Sequence, residues 1–252
     1  MDAFSYVLFG LFGLIVGSFL NVVALRVPAG ESVLMPRSRC PECKETLTPL
    51  QLVPVASYLI LRGRCRYCGT SLPLYYPLTE AGTAVLFVLA YGRWGWSLEL
   101  LVALPLLSIL VVITHTDLRL KLIPDKVTIP GMVYFCLLRL FVRSDPWWEY
   151  ALGFVVAGGL LMLIAVLSRG GMGGGDIKLM AMAGLAIGWK YALFAFMMAT
   201  LLGGLVGMGL LLLKRAGRRD AIAFGPFLAI GIAASYMWGD VLWHWYWNEG
   251  LI

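Results

Sequence analysis

Residues 98–113 read L-E-L-L-V-A-L-P-L-L-S-I-L-V-V-I, and this apolar run decides the solvent in which the chain folds. With its flanks it forms a segment of about 20 residues, the length of an α-helix that crosses the hydrocarbon core of a bilayer. Hydrophobic residues make up 60% of the chain and charged residues 13%, and the mean hydropathy is +0.85. This composition is typical of a helical membrane protein and excludes an ordinary soluble domain.

Other segments share this character, so we predict an all-α polytopic membrane protein with about eight transmembrane helices. The predicted spans are 4–25, 79–93, 97–116, 126–143, 148–168, 177–188, 190–213 and 222–243. Residues 4–25 lack a basic flank in front and are too long for the apolar core of a signal peptide, so we predict a retained first helix. The short span 177–188 is a separate helix only if Gly188-Trp189-Lys190 forms a turn.

The distribution of Lys and Arg predicts the orientation of the helices. With eight spans and both termini outside, most basic residues lie in cytoplasmic loops, including the cluster at 214–219, as the positive-inside tendency requires. Basic loops that face anionic lipid also account for the net charge of +6. We therefore predict membrane lipid, and no nucleic acid, as the partner of this charge.

A polar segment at about 27–77 separates the first two predicted spans and contains two CxxC motifs. Four thiolates at such spacing suit a tetrahedral zinc ion. The alternative is two disulfides, which the reducing cytosol implied by the orientation disfavours. We predict a small cytoplasmic inserted domain with structural zinc, and its ligands are Cys40, Cys43, Cys65 and Cys68.

Two acidic residues lie at the ends of apolar segments. Asp117 follows the run quoted above, and Asp176 follows the glycine-rich stretch Arg169–Gly175. A carboxylate at the edge of hydrocarbon marks a functional site by default. Two of them in contact can share one proton, so that one activates water while the other hydrogen-bonds a scissile carbonyl. We therefore predict an aspartyl protease pair.

Two alternative interpretations compete with the prediction of a catalytic pair. In the first, the acids are interfacial residues in ion pairs with Lys121 or Lys178. Asp125 is the nearest competitor of Asp117, but it follows Pro124 and is expected to cap the next helix.

An ordered set of motifs carries a resemblance to a known family. They are Gly17-Ser18-Phe19-Leu20-Asn21-Val22-Val23, the four-cysteine loop with Arg62-Gly63-Arg64-Cys65, Tyr76-Pro77-Leu78-Thr79-Glu80, Asp117 with Ile123-Pro124-Asp125, Gly173-Gly174-Gly175-Asp176 in the form GxGD, and Phe224-Gly225-Pro226-Phe227. Together they resemble the bacterial type IV prepilin peptidases. The resemblance covers nearly the whole chain.

The resemblance implies a bifunctional enzyme of the bacterial inner membrane with its active site facing the cytoplasm. Such enzymes cleave the basic leader of type IV prepilins or type II secretion pseudopilins, and then methylate the new N-terminus from S-adenosylmethionine. By this resemblance Asp117 and Asp176 are the catalytic pair. The zinc loop belongs to the methyltransferase part, which gives a first helix at 1–26, a zinc-binding loop domain at 27–78 and a transmembrane protease domain at 79–252.

The residues alone do not identify the S-adenosylmethionine site, because no glycine-rich nucleotide loop follows a strand. Asn21, Glu80 and the inner-loop arginines are candidates without a ranking. The alternative function is a proton-coupled transporter that uses the paired carboxylates as a relay, which would place the acids inside helices of an inverted repeat. A zinc-loop scaffold without activity would leave the pairing of Asp117 with Asp176 unexplained. The sequence predicts no particular oligomeric state.

Overall fold

The structure is a computed structural model that describes residues 3–169, 171–213 and 223–248. These residues form helices, with the longest connections in the segment 30–74, and the β structure among them consists of two isolated bridges. The helices are α1 (Ala3–Ala29), a 3-10 turn (Pro49–Leu52), α2 (Ala56–Ile60), α3 (Tyr75–Trp94), α4 (Leu100–Leu120), α5 (Asp125–Leu138), α6 (Trp147–Leu167), α7 (Gly174–Ile187), α8 (Trp189–Leu212) and α9 (Gly225–Asn248).

Each predicted span coincides with one of the long helices. Within the described ranges, four of them are long and apolar enough to cross a membrane, namely α1, α4, α6 and α8. The prediction of an all-α chain with several candidate membrane spans is therefore confirmed, whereas eight crossings and their orientation stay predictions. The basic cluster at 214–219, which supported that orientation, lies outside the described residues.

The predicted turn at Gly188 is present. Gly188 adopts φ 80°, a left-handed conformation that favours glycine, and it separates α7 from α8. Its backbone N–H donates to the carbonyl of Gly184 at 2.9 Å, which closes the last turn of α7.

The chain divides into two compact units, residues 1–112 and 113–252. In the first unit α1 packs along α3, and this packing depends on glycines that share one face of α1. A Cβ on Gly13 would lie 2.6 Å from the backbone of Ala84, and one on Gly17 would lie 2.7 Å from the backbone of Glu80. The absent side chains let the two helices approach closely. The predicted division at 26 and 78 stays a prediction.

In the second unit α7 is the central helix and contacts α5, α6, α8 and α9. It is only 14 residues long, and at 1.5 Å per residue it spans about 21 Å, less than the roughly 30 Å of hydrocarbon. Its side chains from Leu179 to Ile187 are almost all buried, as expected for a helix that is apolar on every face. Being enclosed by other helices, α7 does not need the length of a lipid-facing span.

Two contacts hold α7 at its C-terminal half. Gly153 of α6 and Gly184 of α7 face each other so closely that a Cβ on either would meet the other's backbone. The buried guanidinium of Arg139 donates from Nε and Nη2 to the carbonyl of Ala186, near the end of α7. A cation at a helix C-terminus satisfies carbonyls that have no partner within the helix. The opposite end of α7, which carries Asp176, is thereby held in a fixed place within the unit.

Candidate active site and metal centre

Asp117 lies in the last turn of α4 and is buried. The helix ends just beyond it, where Lys121 adopts φ 51° and its N–H donates to the carbonyl of Asp117 at 2.9 Å. The carboxylate therefore lies at the end of an apolar helix, as the sequence predicts, and its burial indicates a specific environment rather than a solvated interface.

The first residue of α9 contacts this carboxylate. The N–H of Gly225 donates to Oδ2 of Asp117 at 2.8 Å, and a Cβ on Gly225 would lie 2.8 Å from the same oxygen. A hydrogen bond from a backbone N–H stabilises the ionised form of a carboxyl group. The sequence motif contained Gly225 but gave it no role, because the contact joins positions far apart in the chain.

Asp176 lies in the first turn of α7, ahead of the apolar part of that helix, and is half-buried. The preceding glycines bring a second segment against it. A Cβ on Gly175 would lie 2.7 Å from Cβ of Ile123, a residue of the connection between α4 and α5. The absence of that Cβ lets the chain just after Asp117 pack directly on the turn that carries Asp176.

The charge of Asp117 acts on the carboxyl group of Asp176. Desolvation and then the nearby charge of Asp117 raise the pKa of Asp176 to about 6, although a hydrogen bond from Gly173 opposes the change. A like charge raises a carboxyl pKa only from a short distance. The structure thus places Asp117 close enough to Asp176 for its charge to act on that carboxyl group.

Asp125 has a different role from the one that its position suggested. The expectation that it caps α5 is wrong, since Pro124 occupies the N-cap position. Nζ of Lys178 donates to both carboxylate oxygens of Asp125, at 2.7 and 2.6 Å. This ion pair joins the start of α5 to α7. Lys178, which the alternative interpretation paired with the acids at the helix ends, is therefore bound to Asp125.

The four predicted zinc ligands form one cluster in the first unit. Their sulfur atoms all lie within 4.8 Å of one another. A tetrahedral ion with bonds of about 2.3 Å places its sulfur ligands about 3.8 Å apart, and the Sγ atoms of Cys40 and Cys68 are 3.8 Å apart. All four are free thiols, so the described residues contain no disulfide of the alternative reading.

The two halves of the cluster have the same backbone design. The N–H of Lys44 donates to the carbonyl of Cys40 at 3.1 Å, and the N–H of Gly69 donates to that of Cys65 at 3.0 Å. Lys44 and Gly69 both adopt a positive φ, 60° and 74°. Each half is closed by an isolated antiparallel bridge. Each turn presents the two sulfur atoms of its CxxC motif on one side, and the two turns together form the cluster of four.

The surroundings change the pKa values of Cys43 and Cys68 in opposite directions. The backbone N–H and then the side chain of Thr70 hold the pKa of Cys68 at about 6. The backbone of Glu45 lowers the pKa of Cys43, but desolvation and the neighbouring thiols outweigh it and raise that pKa to about 12. Four thiolates this close are compatible only around a cation, so the donor set fits a zinc ion.

Comparisons with known proteins agree with this arrangement. Residues 11–94, which contain the cysteine cluster, match the Bacterial Peptidase A24 N-terminal domain. Residues 104–208, which contain Asp117 and Asp176, match the Type IV leader peptidase family. A Prepilin leader peptidase/N-methyltransferase of Bacillus subtilis is 39% identical over 91% of this chain and 93% of its own length. The chain belongs to the type IV leader peptidase family.

Other relatives carry the same printed name. The protein of Aeromonas hydrophila is 36% identical over 94% of this chain and 91% of its own length, and that of Legionella pneumophila is 32% identical over 96% and 94%. No solved structure matches the chain significantly. Membership in the family confirms the resemblance drawn from the motifs.

The contact between Gly175 and Ile123 generates a prediction with a matched control. Gly175→Ala should lower peptidase activity by about a hundredfold, because its Cβ would displace the α4–α5 connection, and a misplacement of about 1 Å has that effect on a catalytic pair. Gly174→Ala should stay near wild type, since a Cβ there meets no atom within 4 Å. Cleavage rates at equal amounts of purified protein compare the two, and equal rates would exclude this packing.

Proposed function

We propose that this protein is an aspartyl endopeptidase of the bacterial inner membrane with a second, N-methyltransferase activity. It removes the basic leader of type IV prepilins or type II secretion pseudopilins at the cytoplasmic border of the membrane, and then methylates the new N-terminal amine. The single observation that carries this proposal is the coupled carboxyl pair Asp117 and Asp176 at the ends of α4 and α7.

The surroundings of the two acids suggest different roles. Each acid accepts a backbone N–H, Asp117 from Gly225 and Asp176 from Gly173, and burial and then the charge of Asp117 raise the pKa of Asp176 to about 6. We assign the proton shared by the pair mainly to Asp176 and the negative charge to Asp117. Asp117 then takes a proton from the attacking water, and Asp176 donates a hydrogen bond to the scissile carbonyl. No covalent intermediate is needed.

The glycine-rich stretch before α7 suits a helical substrate. A peptide bond within a helix becomes accessible only when the helix opens, and the opened segment then needs partners for its backbone. Residues 171–173 precede α7 without regular structure and are largely exposed. Their backbone can pair with an opened substrate as an added strand does.

The membrane helices suit the location of this reaction. The substrates of the family combine a basic leader with an apolar helix, and cleavage occurs where the two meet. An acid pair at helix ends lies at that depth. On the predicted orientation both acids face the cytoplasm, where most basic loops also lie.

The cysteine cluster and the methyltransferase belong to the first unit. Cys40, Cys43, Cys65 and Cys68 would hold a zinc ion that stabilises the 27–78 segment, which has little core of its own. S-adenosylmethionine would supply the methyl group. The printed names of the relatives carry the methyltransferase part of the proposal.

The transporter alternative finds no support. All the relatives named above are called peptidase and methyltransferase, and none is called a transporter. Asp117 and Asp176 lie in terminal turns of their helices rather than in the middle of a span.

The central test of the peptidase is the removal of either carboxyl group. Asp117→Asn and Asp176→Asn should each lower leader cleavage by at least about a hundredfold, because the pair loses its base or its acid. The measurement is incubation of the purified protein with a prepilin, read by mass for loss of the leader and gain of a methyl group.

Asp125→Asn is the matched control for this test. It removes a carboxylate of the same region whose partner is Lys178 rather than the pair, so cleavage should fall only severalfold. Normal processing by Asp117→Asn or Asp176→Asn would refute the assignment. Complete loss with Asp125→Asn alone would transfer the role of Asp117 to that residue.

Metal analysis tests the cysteine cluster. The purified protein should contain about one zinc ion per chain, and Cys43→Ser should lose it and make the 27–78 segment sensitive to limited proteolysis, because the metal holds the fold of such a segment. Cys136→Ser, which alters the cysteine of α5 outside the cluster, should keep its zinc. A wild-type protein without zinc, or a Cys43→Ser protein with full zinc, would contradict the site.

A further inference from the structure

A cavity of about 370 Å³ lies in the first unit, between α1, the start of α3 and the cysteine cluster. Small-molecule sites usually measure roughly 300–1,000 Å³ and combine apolar walls with a few polar groups. This cavity has both, since Val22, Leu25 and Leu61 line it together with polar side chains. Cys40 and Cys65 of the cysteine cluster form part of its wall, whereas Asp117 and Asp176 do not line it.

Asn21 of α1 gives the cavity a built polar wall. The residue is 3% exposed, and its Nδ2 donates to the carbonyl of Tyr76 at 3.1 Å. Its Oδ1 is buried and has no hydrogen-bond partner. A buried acceptor without a partner costs stability, so it needs a reason, and a ligand held beside it is one. The amide is fixed through Tyr76 and belongs to a residue that lines the cavity.

Glu80 of α3 is the second polar group of that wall. It is 8% exposed, and its Oε2 accepts the N–H of Val55 at 2.7 Å. Val55 adopts φ 58°, an unfavourable conformation for a β-branched residue, so the backbone is constrained where it meets this carboxylate. Strained backbone is concentrated at functional sites.

The helix packing sets these two groups side by side. Gly17 lies one turn before Asn21 on the same face of α1, and the missing Cβ of Gly17 admits the backbone of Glu80. Two acceptor groups thus lie on one wall of the cavity. Such a wall attracts a cation and repels an anion.

Other residues that line the cavity carry positive charge or aromatic rings. Arg26, Arg39 and Arg66 supply positive charge, and Tyr58 and Tyr76 supply aromatic rings. Guanidinium groups bind carboxylates, and aromatic faces stack on planar bases.

We propose that this cavity binds S-adenosylmethionine, with Asn21 and Glu80 facing its cationic amino and sulfonium groups. The arginines then face its carboxylate, and a tyrosine ring faces its adenine. This inference rests on the methyltransferase activity of the proposed function and names the residues that serve it. A phospholipid headgroup fits less well, since its phosphate would meet the buried acceptors.

Binding is tested without turnover on the full-length protein in detergent. Ultraviolet cross-linking of tritiated S-adenosylmethionine should label peptides within residues 18–80, and S-adenosylhomocysteine should prevent the labelling. By calorimetry, Glu80→Gln should raise the Kd at least tenfold, because it removes one charge of an ion pair while keeping the shape and an acceptor for Val55.

Two further variants complete the test. Val22→Trp should block binding by filling the cavity without removing any polar group. Arg37→Gln alters an exposed charge of the same polar segment that does not line the cavity, so its Kd should equal that of the wild type. Zinc content and gel filtration identify any variant that fails to fold.

The outcomes separate this inference from the proposed function. If the wild type cleaves and methylates a prepilin but the label lies outside residues 18–80, or Glu80→Gln and Val22→Trp bind normally, the cavity assignment is overturned and the function stands. If the wild type cleaves but neither binds S-adenosylmethionine nor methylates, the cavity assignment and the methyltransferase are both overturned.

Discussion

The contact between Gly175 and Ile123 is the constraint on which the candidate active site depends. Asp117 lies at the end of α4 and Asp176 at the start of α7. The two can form one site only if the chain that leaves α4 packs on the first turn of α7. Gly175 permits this because it has no side chain where Ile123 must lie. The ion pair between Lys178 and Asp125 fastens the same junction one turn further along α7.

The burial of α7 fixes the position of the helix that carries Asp176. α7 is enclosed by four other helices, Gly184 meets the backbone of α6, and Arg139 binds the carbonyl of Ala186 near its C-terminal end. Asp176 is consequently held at the N-terminal end of a rigid element rather than on a mobile loop. Rigid support of this kind is what a shared proton requires, since the coupling of two carboxyl groups falls steeply with their separation.

The apolar runs were sufficient to predict the helices, and Asp117 and Asp176 lie at helix ends as predicted, while their catalytic pairing stays a prediction. The spacing of the four cysteines, which is local, was likewise sufficient to predict their cluster. The N–H of Gly225 on Asp117, the pairing of Lys178 with Asp125 and the cavity at Asn21 were not predictable, because each joins distant segments. Local propensity carries no information about such contacts. The capping role expected of Asp125 failed for a local reason, since Pro124 occupies the N-cap position.

Reaction of a carbodiimide with Asp176 at different pH values tests most directly whether the two acids form one coupled pair. Such reagents modify protonated carboxyl groups, and peptide mass reports the fraction modified. The midpoint for the wild type should lie near pH 6. In Asp117→Asn it should fall, because removal of a like charge favours ionisation of Asp176, while Asp125→Asn should leave it unchanged. An identical midpoint in the wild type and in Asp117→Asn would contradict the pair.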